Sequence, residues 1–239
     1  MAPTTPSRFL TIDIGGSGLK AAVADRSGTL LSTRLRVKTP QPSSPDLLLD
    51  RLVELVAPLE PFDCIAVGFP GVVRSGVIVT APNLGTEALA GFDLAGALEQ
   101  RLGRPVRVAN DATVQGLAVV KGRGVEMVIT LGTGFGAALF LEGRPLPTLE
   151  LGHHPFHKGG TYEDRLGDQA LKKDGKKKWN RRLARAIRTI RALTCFDALY
   201  IGGGNARHVT LTLAADTTTI DNANGVKGGV ALWLGVGAG

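Results

Sequence analysis

Two stretches of this chain carry the same pattern, and together they limit the folds open to it. Thr11-Ile12-Asp13-Ile14-Gly15-Gly16-Ser17-Gly18 runs from an apolar strand into a glycine turn, and the chain then resumes as a second apolar run over residues 19–24. Val128-Ile129-Thr130-Leu131-Gly132-Thr133-Gly134-Phe135 does the same 117 residues later, counted from Gly15 to Gly132. Each reads as a β-hairpin closed by glycine. One such turn is common, but two in matching places point to an internal repeat and so to two related lobes. A chain of 239 residues has room for two lobes of roughly 110 residues each.

The rest of the pattern fits that division. In the first half, residues 29–37 alternate as a third strand. Ser44-Pro45-Asp46 reads as N-cap, N1 proline and first-turn acid of a helix with Leu48, Leu52, Leu55 and Leu59 on one face. Residues 64–67 form a short buried strand leading into Gly68-Phe69-Pro70-Gly71, and residues 72–80 read as a hairpin. A helix over 92–102 and a strand over 106–109 complete the order β-β-β-α-β-α-β, a three-layer α/β lobe. The boundaries expected are 1–109 for the N-terminal lobe and 110–227 for the second. A short helix near 228–239 is a candidate to complete the first, and residues 1–8 read as a frayed tail. Asn110-Asp111-Ala112-Thr113 opens a helix running to about residue 120, and a strand over 198–201 ends in Gly202-Gly203-Gly204-Asn205.

The glycine turns suggest chemistry. Without a Cβ, backbone N–H groups can come close to a ligand. Ser17 adds a hydroxyl and Lys20 a cation, and Asp13 at the strand end can hold Mg²⁺ through water. Together these suit a polyphosphate tail. An ordinary tight hairpin with a surface aspartate is the plainer reading of the first turn alone.

Charge is unevenly distributed. Residues 158–191 hold 12 Lys/Arg and 4 Asp/Glu, a local net of +8, and the remaining 16 basic and 17 acidic residues sum to −1. The excess therefore points to one anionic partner met at one place. Trp179, Leu183, Ile187 and Ile190 fall on one face of a helix there, and Arg181, Arg185 and Arg188 on another. Lys172, Lys173, Lys176, Lys177 and Lys178 precede them. A solvated helix face is the alternative. Eight Phe, two Tyr and two Trp, none clustered among the basic residues, leave no stacking platform for nucleic acid. The two cysteines, Cys64 and Cys195, argue against a disulfide scaffold and fit a reducing cytoplasm. No apolar run approaches the roughly 18 residues of a membrane span.

Asp13-x-Gly-Gly-Ser-x-x-Lys20, Gly68-Phe-Pro-Gly71, Asn110-Asp111, Leu131-Gly-Thr-Gly134, Glu150-Leu-Gly-His153 and Gly202-Gly-Gly204 occur in the order found in the ROK sugar kinases. The chain resembles that family over residues 9–235. The resemblance implies two ribonuclease-H-like lobes of the actin/hexokinase superfold around a central cleft. It makes Asp111 the general base, where the local sequence alone would equally make it a helix cap. It gives Asn83, Asn110, Glu150, His153 and Glu163 to the sugar. It gives Gly15, Gly16, Ser17 and Lys20, with Gly132, Thr133 and Gly134, to the donor phosphates, and Gly202, Gly203 and Gly204 to the nucleotide or polyphosphate.

Many family members carry a histidine and three cysteines around a structural zinc after the Gly-His step. Here residues 153–163 contain no cysteine, so no zinc is expected. In this the chain is similar to the polyphosphate glucokinases, as it is in Gly175-Lys-Lys-Lys-Trp-Asn180. The resemblance implies a cytoplasmic, homodimeric glucokinase using polyphosphate, ATP or both with Mg²⁺, with Lys172, Lys173, Lys176, Lys177, Lys178, Arg181 and Arg185 as its polyphosphate track. The alternatives are a strictly ATP-dependent kinase of mannose or an N-acetylhexosamine, and a non-catalytic sugar sensor.

Overall fold

The computed structural model describes residues 6–59, 61–221 and 224–236. The chain divides into two units, Met1–Ala118 with Ala223–Gly239, and Val119–Asn222. In the first, β1 (Phe9–Ile14), β2 (Leu19–Ala24) and β3 (Leu35–Val37) are followed by α1 (Pro45–Val56) and β4 (Cys64–Phe69). A small hairpin of β5 (Val73–Arg74) and β6 (Val77–Ile78) comes next, then α2 (Thr86–Leu89), α3 (Leu94–Leu102), β7 (Val106–Asn110) and α4 (Asp111–Leu117). The second unit holds β8 (Val125–Leu131), β9 (Phe135–Leu141), β10 (Arg144–Pro145), β11 (Pro155–His157) and β12 (Gly160–Thr161). It continues through α5 (Tyr162–Leu166), α6 (Asp168–Thr194), β13 (Ala198–Gly202) and β14 (Thr217–Thr219), and α7 (Asn224–Leu234) returns to the first unit.

The repeat seen in the sequence is a repeat of topology. The first sheet has the order β3-β2-β1-β4-β7 and the second β10-β9-β8-β13-β14. In each, a hairpin supplies the antiparallel half, and two parallel strands extend the sheet from the first hairpin strand. Parallel strands flanked by helices on both faces read as continuous apolar runs. β4 is buried at every position, and β8 at every position but its first.

Local chemistry sets the element ends. Ser44 Oγ accepts from Leu47 N at the start of α1, and Pro45 follows it. Leu48, Leu49, Leu52, Leu55 and Val56 are its buried face, while Leu59 of the expected stripe lies past its end. The third strand is shorter than expected, with only residues 35–37 pairing with β2. Before them the Asp25 carboxylate accepts from Ser27 N, Thr29 N and Ser27 Oγ, which holds the chain in a turn. The same hydrogen bonds, that from the Ser27 hydroxyl first, keep the Asp25 carboxyl below the usual range. The expected frayed tail is tied down near its end: Ser7 N, Ser7 Oγ and Arg8 N donate to Asp63 Oδ2 at 2.7, 3.0 and 2.9 Å. Residues 1–5 of that tail, and 237–239 of the expected closing helix, lie outside the described residues.

The second half was expected to open at Asn110, but α4 stays with the first unit. The reason is α7. Gly228 lies so close to the Val114 carbonyl that a Cβ would collide with it, and a Cβ on Gly229 would stand 2.6 Å from Thr11 Cγ2. The glycine pair lets α7 pack directly on α4 and β1. Val226 and Val230 then bury Phe9, Ala24 and Cys64. Trp233 Nε1 donates to the Ile65 carbonyl at 3.1 Å, and Arg107 donates to the Leu232 carbonyl at 2.8 Å with its guanidinium over the Trp233 ring.

The second unit has its own core, in which Met127, Ile129 and Leu131 of β8 meet Trp179, Leu183 and Ile190 of α6. Buried Glu126 organises its start. The carboxylate accepts from the N–H groups of Lys121, Gly122 and Arg123 and from the Tyr200 hydroxyl. Burial and the neighbouring carboxylate push the Tyr200 phenol up to about 12.

Candidate active site

In the first unit the chemistry gathers at the C-terminal edge of the sheet. Asp13 is the fifth residue of β1; across the parallel ladder it pairs with Gly68, and Gly68 with Ala109. A Cβ built on Gly68 would stand in ordinary contact with Asp111 Cα, at 3.6 Å, so the start of α4 lies over the strand next to Asp13. Asn110 ends β7 and caps α4: its Oδ1 accepts from Ala112 N and Thr113 N at 3.0 and 3.3 Å, and its Nδ2 donates to the Gly71 carbonyl at 3.1 Å. The capping role considered for Asp111 therefore belongs to Asn110. Asp111 is the first helical residue, partly buried, with Oδ1 accepting from Ala112 N at 2.8 Å.

The glycine turn beside Asp13 is braced from outside. Gly15 N donates to Gly18 O at 3.0 Å. Thr39 Oγ1 donates to the Gly15 carbonyl at 2.6 Å, and Gln41 Nε2 to the Gly16 carbonyl at 3.3 Å. Asn83 packs against Gly16, with its Cβ 3.4 Å from where a Gly16 Cβ would stand. Lys20 pairs across the hairpin with Asp13, Nζ to Oδ2 at 2.9 Å, both about half exposed. Thr39 and Gln41 went unnoticed in the sequence, where residues 39–44 show only a Pro/Ser loop.

Asp13 is a single partly exposed carboxylate, and among the described residues no three His, Cys, Asp or Glu side chains cluster as a metal cage. One carboxylate suits Mg²⁺, which keeps several waters and takes its other ligands from substrate phosphates.

In the second unit two segments converge on the repeat turn, the start of α6 and the glycine run at the end of β13. Gly132 N donates to Gly134 O at 3.1 Å. The Gly132 carbonyl accepts from Asp168 N at 2.9 Å, at the start of α6, and from Asn205 Nδ2 at 3.1 Å. Gly203 has φ +85° and lies against the Leu131 backbone, where any Cβ would collide. Gly203 and Gly204 also line a cavity of about 390 Å³ with Arg207, Thr219 and Ile220. Asp168 and Asn205 are the residues that sequence reasoning missed here. The Asn directly after the triple glycine was the only available signal.

Glu150 precedes the short 3₁₀ turn Leu151–His153, and its carbonyl accepts from His153 N. Gly152 passes so close to the Phe135 carbonyl that only glycine fits, and a Cβ there would lie 3.9 Å from Glu163 Oε2. Glu163 Oε2 accepts from Phe135 N at 3.4 Å. The Glu150-to-His153 segment and Glu163 are therefore brought together.

The basic segment is not one continuous surface. α6 is broken at Gly175, with φ 74° and ψ 160°. Trp179 and Asn180 of the Lys-Lys-Lys-Trp-Asn run are buried. Trp179 Nε1 donates to the Leu166 carbonyl at 2.8 Å. Asn180 Nδ2 donates to the carbonyls of Lys176 and His208, and its Oδ1 accepts from Thr210 N. Lys172 pairs with Asp168 beside the glycine turn. Lys178, Arg181 and Arg185 instead line a separate pocket with His157 and Arg188.

The ROK family model matches residues 9–162. The chain belongs to the ROK family. It is 31% identical over 219 residues to the polyphosphate glucokinase of Mycobacterium tuberculosis, covering 85% of this chain and 80% of that protein. The crystal structure of the inorganic polyphosphate/ATP-glucomannokinase from Arthrobacter sp. strain KM superposes with a TM-score of 0.83 at 31% identity, covering 98% of both chains. Over a shorter stretch, 142 residues and 57% of this chain, the N-acetylmannosamine kinase of Escherichia coli is 33% identical and is matched over 48% of its own length. The α/β fold with two sheets is that of the ROK sugar kinases, the actin/hexokinase-like fold.

Proposed function

We propose that this ROK protein is a glucokinase, transferring a phosphoryl group from polyphosphate, ATP or both to the 6-hydroxyl of glucose. The observation that carries the reading is the division of labour at Asn110-Asp111. Asn110 takes the capping role, which leaves the Asp111 carboxylate in the first turn of α4, next to the Asp13 strand edge. A sugar hydroxyl is a poor nucleophile at neutral pH, and a carboxylate in hydrogen-bond reach removes its proton as the bond to phosphorus forms. Asp111 is assigned that role.

Asn83, Glu150, His153 and Glu163 are assigned to sugar hydroxyls, with Asn110 adding the amide hydrogen not given to Gly71. Gly15, Gly16, Ser17 and Lys20, with Gly132, Thr133 and Gly134, hold donor phosphates through backbone N–H groups and the Lys20 ammonium. Gly202, Gly203 and Gly204 approach the rest of the donor. Mg²⁺ held by Asp13 through water supplies charge neutralisation on the transferring group. Catalysis by these residues is positioning and electrostatics, with no covalent intermediate on the protein. We place the enzyme in the cytoplasm as a homodimer. Among the described residues no helix is long and apolar enough to cross a membrane.

The likeness to an N-acetylmannosamine kinase favours one second reading, an ATP-dependent kinase of mannose or an N-acetylhexosamine. The deciding experiment is a coupled assay of sugar 6-phosphate formation, with Mg²⁺, over glucose, mannose and N-acetylmannosamine and with ATP or long-chain polyphosphate. Glucose turnover with polyphosphate is the expected result. Preference for the N-acetylated sugar with ATP alone would replace it with the second reading.

A further inference from the structure

The two arms assigned to the sugar, the turn at residues 150–153 and Glu163, meet at one residue. Glu163 Oε2 accepts from Phe135 N at 3.4 Å, and Gly152 passes against the Phe135 carbonyl. Between the arms the chain runs out and back through the β11–β12 hairpin, which has little of its own to hold it. The ladder has two residue pairs, Pro155 with Thr161 and His157 with Gly160, and the register shifts between them. A two-stranded hairpin is marginal by itself even with a longer ladder. The tip is also strained: Lys158 has φ 50° and Gly159 φ 71°, and the left-handed region is costly for a side chain such as that of lysine. The helix that carries Glu163, α5, is five residues long, far short of the length at which a helix is stable alone.

Arg165, in the last turn of α5, joins the two. Its Nε donates to the His157 carbonyl at 3.0 Å and its Nη2 to the Lys158 carbonyl at 2.7 Å. One planar group thus grips two successive carbonyls, one of them on the strained lysine, with a fork that a lysine ammonium does not present. Gly160 makes room for it. A Cβ there would stand 2.5 Å from Arg165 Nε and 2.9 Å from its Cζ, so the guanidinium lies against bare backbone. The main chain of Arg165 is fixed as well: its carbonyl accepts from Arg182 Nη1 at 3.4 Å, and Arg182 is paired with Asp174 at 2.6 Å. Phe156 stacks on buried Tyr162 with ring centroids 4.3 Å apart, and Tyr162 N donates to the His154 carbonyl at 3.3 Å. These contacts close the base of the hairpin, and Arg165 holds its tip.

We propose that Arg165 is a positioning residue for the sugar: by pinning the hairpin tip to α5 it fixes His153 and Glu163 at the separation that grips one sugar. The proposal rests on the assignment of those two residues to sugar hydroxyls made above. Arg165 touches no substrate in this role, and because a hexose is neutral the arginine's charge does not enter its affinity for the sugar.

The test is calorimetric titration of glucose into the full chain, beside steady-state kinetics in glucose and in donor. The variants are Arg165→Met, which keeps the stem and loses the fork; Arg165→Lys; and Gly160→Ala, which keeps the arginine and displaces its guanidinium. Arg165→Met and Gly160→Ala are each expected to weaken glucose binding about tenfold, the equivalent of one lost hydrogen bond to the sugar. Arg165→Lys is expected to recover little of that loss. The KM for glucose rises in step while kcat at saturating glucose stays close to that of wild type, and Gly160→Ala leaves the donor KM unchanged. Both changes break the same two hydrogen bonds, so the double variant is expected to bind glucose no worse than Arg165→Met alone. If Arg165→Met does not fold, Arg165→Lys and Gly160→Ala decide the matter. A merely structural role would lower the melting temperature and leave the glucose affinity of the folded protein intact. That result, additive losses in the double variant, or full recovery by lysine would each overturn the proposal. Wild-type protein that binds none of glucose, mannose and N-acetylmannosamine overturns the sugar assignment and the proposal with it. Arg165-dependent sugar binding by a protein without turnover keeps the proposal and removes only the kinase activity.

Discussion

At the residue scale, the informative pair is Asn110 and Asp111. Both are polar, and both stand where a strand gives way to a helix, so either could have been the cap. The hydrogen bonds give that job to Asn110, whose Oδ1 takes two backbone N–H groups and whose amide ties the helix start to Gly71. Asp111, the first residue of the helix, is the base proposed above. Asp111→Asn is expected to lower kcat roughly 10²–10⁴-fold, the usual contribution of a general base. It should leave glucose affinity nearly as it was, because the isosteric amide keeps the first turn of α4. Stopped-flow or coupled kinetics beside glucose calorimetry will decide this, and substantial turnover by the variant would remove Asp111 as the base.

At the element scale, α6 separates two things that the sequence runs together. Gly175-Lys-Lys-Lys-Trp-Asn180 reads as one basic motif, yet its members do different work. Gly175 breaks the helix with a backbone conformation that only glycine adopts readily. Trp179 fills the core, and Asn180 ties α6 to the loop at residues 208–210 through two hydrogen bonds, with a third to the Lys176 carbonyl inside the helix. Asn180→Ala removes the partners of the partly buried backbone groups at His208 and Thr210 and is expected to cost about 1–3 kcal/mol of stability. Urea denaturation of the purified variant measures it, and a loss below roughly 0.5 kcal/mol, the range of an ordinary surface change, would show that water replaces the side chain.

At the scale of the whole molecule, the first unit is completed by a helix more than 100 residues away in sequence. α7 packs on α4 and β1 through Gly228 and Gly229, and it covers Phe9 and Cys64. Burial pushes the Cys64 thiol up to about 12, so in the native protein it is neutral and shielded, whereas Cys195 is exposed. Ending the chain before α7 is expected to expose the Phe9–Cys64 face and destabilise the first unit. The measurement is a thiol count with a chromogenic disulfide reagent. One rapidly reacting thiol is expected for the full chain and two for the truncated one. A truncated chain that still shields Cys64 would mean that α7 adds little to the fold.

Much of this protein could be read before any coordinates. The paired glycine turns gave away the repeat, because a turn that needs backbone without Cβ must be written in glycine. Apolar runs marked the parallel strands, and Ser44-Pro45 marked a helix start, because both rest on interactions between near neighbours in sequence. The position of Asp111 after a strand was equally plain. What the residues alone left undecided were the facts set by contact at a distance. The cap could be assigned only once Gly71 was seen to hold the Asn110 amide. The end of the first unit at Ala118 depends on a glycine pair in α7 fitting against Val114. The brace on the first turn comes from Thr39 and Gln41, and that on the second from Asp168 and Asn205, and of these only Asn205, directly after the triple glycine, carries a local signal. The division of the basic segment follows from helix geometry: residues two apart point to opposite sides, so charges adjacent in the chain part company once the helix forms.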